Sequence, residues 1–106
     1  MITGFKSKVE YLLRRRGMRN GIGYVSYYTS PRLRKYLLDR EYTLATEFPK
    51  YTVDFIYLAK RDAIRIPEAL TRLNIGGIII LSLGKGEIRE IKKGFANEQF
   101  ASQVAR

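Results

Sequence analysis

The stretch NIGGIIILS, residues 74–82, decides how this chain is read. A Gly-Gly pair leads into four consecutive aliphatic residues at 78–81. An apolar run of that length, with no polar alternation, reads as a strand buried on both faces. Strands of that kind belong to parallel sheets covered by helices. The flanking segments should therefore alternate between helix and strand.

They do. TVDFIYLA (52–59) is a second strong strand, apolar on both faces near its end as a central strand requires. Between the two, Asp62 reads as the cap of a helix over 63–73 that turns Ile66, Ala69, Leu70 and Leu73 toward the core. Pro67 fits poorly inside that helix and is an alternative start for it. Further upstream, YTLATEF (42–48) is a moderate strand followed by a turn at Pro49-Lys50. Ser30-Pro31 marks a helix start, with Ser as cap and Pro at the first helical position. That helix runs to about Asp39, with Leu33, Tyr36 and Leu37 inward and Arg32, Arg34 and Lys35 outward. YVSYYTS (24–30) is aromatic and β-branched, hence a strand. Residues 5–16 form an amphipathic helix: Phe5, Val9, Leu12 and Leu13 share one face, and Ser7, Arg14 and Arg15 lie opposite. GMRNGIG (17–23) breaks it, with Gly17 as a natural stop. Downstream, GEIREIKKG (86–94) has two readings, a short helix with Ile88 and Ile91 at i, i+3 or a strand returning through GKG as a hairpin. The tail EQFASQVA (98–105) reads as a weak strand or a helix. The expected architecture is a single α/β domain over residues 1–106. It is a three-layer Rossmann-like sandwich with a small, largely parallel sheet and helices on both faces.

Composition narrows the chemistry. There is no Cys and no His among 106 residues. No disulfide or thiolate metal site is available, and the commonest general base and metal ligand is missing. No apolar run reaches the roughly 18–20 residues that span a bilayer, and charges interrupt the N-terminal stretch where a secretory core would lie. The expectation is a soluble, intracellular, cytoplasmic protein with no membrane partner. Abundant Ile, Tyr, Lys, Arg and Glu fit a hot habitat. The net charge is +10, and residues 1–40 hold ten Lys/Arg against two acids. That excess favours a polyanionic partner.

Most of the chain resembles a class I S-adenosylmethionine-dependent methyltransferase. Residues 51–91 are similar to that family's second half: Asp54 near a strand start, a leucine-rich helix end at 70–73, Gly76-Gly77, and the aliphatic strand at 78–81. GEIREIKKGF (86–95) resembles the family's next helix, and GYVSYYTSPRLRKYLL (23–38) the strand and Ser-Pro helix after the cofactor loop. The resemblance implies a Rossmann-like fold. The family's first strand and glycine-rich loop should precede residue 24, where a basic helix and RNGIG stand instead. The Gly21-x-Gly23 pair reads as turn chemistry. Tyr28, Thr29 and Ser30 occupy the place of the acid that would bind the cofactor ribose. No Asn/Asp-Pro-Pro-Tyr motif follows Leu58-Ala59. With the central first strand lost, rearranged strand pairing or a homodimer covering an edge is expected.

Other candidate sites are weaker. Glu47, Asp54 and Asp62, with Lys60, suggest a Mg²⁺-dependent nuclease, but no Asp/Glu-x-Lys signature follows Asp54. LGKGE (83–87) is too short for a phosphate-binding P-loop and reads as a glycine turn. The strongest feature is RRRGMRN (14–20), close in sequence to GYVSYY and RLRK. Arginine and lysine neutralise phosphates, and tyrosine rings stack on bases. The sequence therefore points to a non-enzymatic nucleic-acid-binding protein without metal or cofactor. Arg14, Arg15, Arg16, Arg19, Arg32, Arg34 and Lys35 would contact phosphates, and Tyr27 or Tyr28 would stack. The alternatives are a diverged methyltransferase and an adaptor whose basic face binds an acidic protein.

Overall fold

The computed structural model describes residues 5–26 and 31–94. The elements are α1 (Phe5–Arg15), β1 (Ile22–Val25), α2 (Pro31–Asp39), β2 (Thr43–Ala45), β3 (Val53–Leu58), a 3-10 turn η1 (Lys60–Arg65), α3 (Ile66–Thr71), β4 (Leu73–Gly84) and β5 (Glu87–Lys92). The five strands form one sheet in the order β2-β1-β3-β4-β5. The first four are parallel and β5 runs antiparallel to β4. This is a mixed α/β fold with a mostly parallel sheet, as the helix–strand alternation predicts.

The β3–β4 ladder carries the core. Phe55, Ile56, Tyr57 and Leu58 stand opposite Ile78, Ile79, Ile80 and Leu81, and all eight are buried. Successive strand residues point to opposite faces. Phe55, Tyr57, Ile78 and Ile80 accordingly pack with Val9, Leu12 and Leu13 of α1 and Leu33 and Leu37 of α2. Ile56, Leu58, Ile79 and Leu81 pack with Ile66, Ala69 and Leu70. Each such side chain contributes about 1.5–3 kcal/mol on burial, so helices are needed against both clusters.

Several boundaries differ from the sequence reading, each for a physical reason. β1 starts at Ile22 and lies between β2 and β3. β1 pairs directly with β3, so the sheet has no gap at its middle. Nor is Gly23 mere turn chemistry. It pairs with Phe55 across the ladder, and a Cβ there would sit 2.3 Å from the Phe55 ring. β2 keeps only three residues. Residues 46–52 instead carry the chain across to β3, with Phe48 edge-on to Tyr24 at 5.6 Å and the Arg65 guanidinium 3.7 Å from the Phe48 ring centre.

The helix expected over 63–73 splits into η1 and the six-residue α3, with Pro67 in its first turn. Asp62 caps nothing; its carboxylate instead accepts the Ser26 hydroxyl. β4 opens at Leu73, and Gly76, at φ +88°, lets residues 74–77 bulge between the Val53 and Phe55 pairings. The 86–94 segment is a strand and not a helix, unlike the methyltransferase pattern. Lys85 and Gly86 both have positive φ, the backbone hand that suits a two-residue hairpin turn. The Ser30 cap, the tail reading and the side chain of Phe5 lie outside the described residues. Among the described residues no helix is long and apolar enough to cross a membrane.

The Gly23–Phe55 contact yields a direct test. Gly23→Ala should lower stability by about 1–3 kcal/mol, because the new methyl would overlap a fully buried ring. Urea unfolding measures this; an unchanged midpoint would show that the ring can shift without cost.

Candidate nucleic-acid interface

The C-terminal end of α1 builds an exposed basic surface. Val9, Leu12 and Leu13 anchor the helix in the core, which turns Tyr11, Arg14 and Arg15 outward. Gly17, at φ +75°, ends the helix. The Met18 N–H returns to the Leu13 carbonyl at 2.9 Å, as in glycine helix stops. The tight return sets Arg19 beside the last helical turn. Tyr11, Arg14, Arg15, Gly17 and Arg19 line one shallow depression.

Three consecutive arginines do not share a fate. Each helical residue turns by about 100° from the last, so Arg16 swings toward the sheet edge. Its Nε and Nη2 donate to the two Glu90 carboxylate oxygens at 2.6 and 2.7 Å. This hydrogen bond raises the Arg16 pKa above its ordinary value, with the Glu90 charge adding and partial desolvation opposing. Arg16 thus joins α1 to β5. The Arg14 and Arg19 side chains, among the described residues, make no ion pair or hydrogen bond. Arg15 has only a loose approach to the Tyr11 ring, 6.0 Å from its centre.

On the α2 side, Arg14 and Arg19 also border a second depression with Glu10, Asp39, Arg40, Glu41 and Tyr42. Two of its acids are engaged. Glu10 pairs with Arg40 at 3.2 Å and accepts the Tyr36 hydroxyl at 3.2 Å; Asp39 faces Lys35 at 3.4 Å. The Tyr42 ring is buried edge-on to Phe55, and its hydroxyl has no hydrogen-bond partner among the described residues. Burial is the main cause that raises the Tyr42 pKa. Glu10 adds to the rise, and Arg14 and Arg19 oppose it.

The remaining basic residues singled out in the sequence lie elsewhere. Arg14 to Arg19 precede the start of β1, whereas Arg32, Arg34 and Lys35 open α2 after its end. Twelve residues separate Arg19 from Arg32, and the four of them in β1 span about 13 Å of extended chain. Arg34 is spent on structure: its Nη2 donates to the Val25 carbonyl at 2.7 Å. Arg32 and Lys35 are exposed on the first turn of α2. Tyr27 and Tyr28 lie outside the described residues. Tyr11, not singled out by sequence reasoning, is the aromatic ring at the arginine cluster. Its i, i+3, i+4 spacing to Arg14 and Arg15 was the available signal.

The acids are structural. Asp54 accepts the Ile22 N–H at 3.0 Å and the Asn74 side-chain amide at 3.0 Å, tying the starts of β1 and β3 to the β4 bulge. The carboxyl ends of β1 and β3 form the crevice in which ligands sit in sheets of this order. Here the Ser26–Asp62 hydrogen bond spans it, and the Ser26 N–H bonds the Tyr57 carbonyl at 2.8 Å. Among the described residues no group of three His, Cys, Asp or Glu side chains could hold a metal.

Comparison with known protein families, curated proteins and solved structures finds no match to this chain.

The orphan hydroxyl of Tyr42 gives a two-part prediction. Tyr42→Phe should be neutral or stabilising by up to about 1 kcal/mol at neutral pH, since it removes a buried, unpaired polar group. The folded-state pKa is raised, so the native chain holds this proton more tightly than the unfolded chain. Its contribution is fully present below the ordinary value of 10.0 and is lost as pH rises through the folded value. Urea unfolding as a function of pH should show a wild-type decline above that value which Tyr42→Phe reduces. A loss of more than about 1 kcal/mol in Tyr42→Phe would show that the hydroxyl has a partner.

Proposed function

We propose that this chain is a small, non-enzymatic nucleic-acid-binding protein with a three-layer, Rossmann-like core, and that it holds phosphates through Arg14, Arg15 and Arg19. The observation that carries this reading is their convergence, without carboxylate pairing among the described residues, around one depression at the end of α1. Arginines left unpaired on a chain of charge +10 are fitted to a polyanion, because each phosphate neutralised releases condensed counterions. The side chains cluster within a few residues of one another, so a short run of backbone would meet all three. Two packed clusters on alternate sides of the sheet support the layered core. Asp54 and Asp62 are engaged in structural hydrogen bonds, which favours a binding role over acid–base chemistry.

The reading predicts a salt dependence. In a filter-binding titration, log affinity should fall steeply and linearly with log salt. The triple substitution Arg14→Ala, Arg15→Ala and Arg19→Ala should weaken binding across sequences and flatten the slope by about 2–3. Its thermal midpoint should stay close to wild type, since exposed substitutions of this kind cost under about 0.5 kcal/mol each. Arg16→Ala should do the reverse: it should cost about 1 kcal/mol of stability through the lost Glu90 pair and leave the slope almost unchanged. Binding that is absent at about 50 mM salt, or equal in wild type and triple variant, would refute the reading.

A further inference from the structure

We propose that the nucleic acid held at the arginine cluster is single-stranded, with one unpaired base lying against the ring of Tyr11. This rests on the phosphate-binding reading above and names its substrate class. Tyr11 is 53% exposed, although the next residue on the helix, Leu12, is buried. Its ring stands between two depressions. On one side are Arg14, Gly17 and Arg19; on the other are Lys8, Leu12, Ile88 and Glu90, with Arg15 common to both. One flank is therefore cationic and the other partly apolar, complementary to the anionic phosphate and the apolar base face that a nucleotide presents to a protein. Gly17 leaves open space within 4 Å of where a side chain would begin, so nothing from that residue covers the cationic flank.

A duplex offers phosphates to arginines but keeps its base faces stacked inside. Only an unpaired strand can use an exposed ring at the centre of a phosphate-binding patch. The helix places Tyr11 one turn from Arg14 and Arg15, with Cβ separations of about 5–6 Å. Phosphates held by those arginines would thus bring their own bases within reach of the ring. Arginine alone would bind single and double strands alike, so the discriminating group is Tyr11.

The test uses fluorescence anisotropy with the full chain and three labelled probes at about 50 mM salt. The probes are a mixed-sequence DNA strand of about 12 nucleotides, the same strand annealed to its complement, and an abasic strand of equal length. Wild type should bind the plain strand about 5- to 100-fold more tightly than the abasic strand, the range expected for one stacked base. Tyr11→Ala should lose the same factor on the plain strand and less than about twofold on the duplex. Tyr11→Phe should retain wild-type affinity, because stacking needs the ring and not the hydroxyl. Circular dichroism melts of both variants should match wild type. If the plain, abasic and double-stranded probes bind equally, or if Tyr11→Ala weakens all three alike, the single-strand assignment is overturned while the phosphate patch stands. If no probe binds, both readings fall.

Discussion

The constraint on which the rest of this molecule depends is the pairing of two strands buried on both sides. Residues 55–58 of β3 and 78–81 of β4 are apolar without interruption and lie opposite one another. A ladder of that kind cannot face water on either side. The chain must supply apolar helix faces for both clusters, and α1, α2 and α3 do so with Leu13, Leu37 and Leu70 among others. The same requirement explains Gly23. Phe55 is large and fully buried, and the adjacent strand yields the volume by having no side chain at that point.

With both core clusters packed, the polar groups of the described residues lie mainly on helix exteriors, strand ends and sheet edges. The edges are poorly suited to recruit another strand. β2 is three residues long, and β5 exposes Glu87, Arg89 and Lys92; short length and charge both blunt an edge against pairing. Strand ends are also taken up, by Ser26–Asp62 at one end of β1 and β3 and by Asp54 at the other. Among the described residues, the outward face of α1 is one exposed surface free of these ties. Its position over β5 is held by Arg16–Glu90 and by Lys8, whose Nζ donates to the Gly86 carbonyl at 3.2 Å.

The fold was legible in the sequence where a local pattern and the tertiary demand agree. The aliphatic run at 78–81, the apolar spacing of α1 and the Gly17 stop are examples. It was illegible where a distant residue decides. Nothing near Gly23 in the sequence announces the Phe55 ring, so a packing glycine resembles a turn glycine. The helix expected through residue 73 stops early because Leu73 pairs with Val53, and pairing over such separations leaves no local mark. The candidate site divides in the same way. That positive charge concentrates near residues 14–19 is written in the sequence. Which of three adjacent arginines is spent on Glu90 depends on where β5 lies, and β5 was itself ambiguous between helix and strand. Arg32, Arg34 and Lys35 looked near to that cluster only because the length of β1 was not part of the count.

The basic end of α1 also has a purely structural explanation, and its reach can be judged. Cations in a last helical turn stabilise it by about 0.3–1 kcal/mol through the helix dipole, and Arg14 and Arg15 occupy that turn. The dipole falls off within one turn, so it gives little reason for a further arginine after the glycine stop. Arg19 stands there, beside the others, and without a carboxylate partner among the described residues. Like charges gathered this closely repel one another, a repulsion that Glu10, Asp39 and Glu41 at the neighbouring depression offset in part. Helix stability therefore accounts for the pair on the helix and not for Arg19, which lies beyond the reach of the dipole.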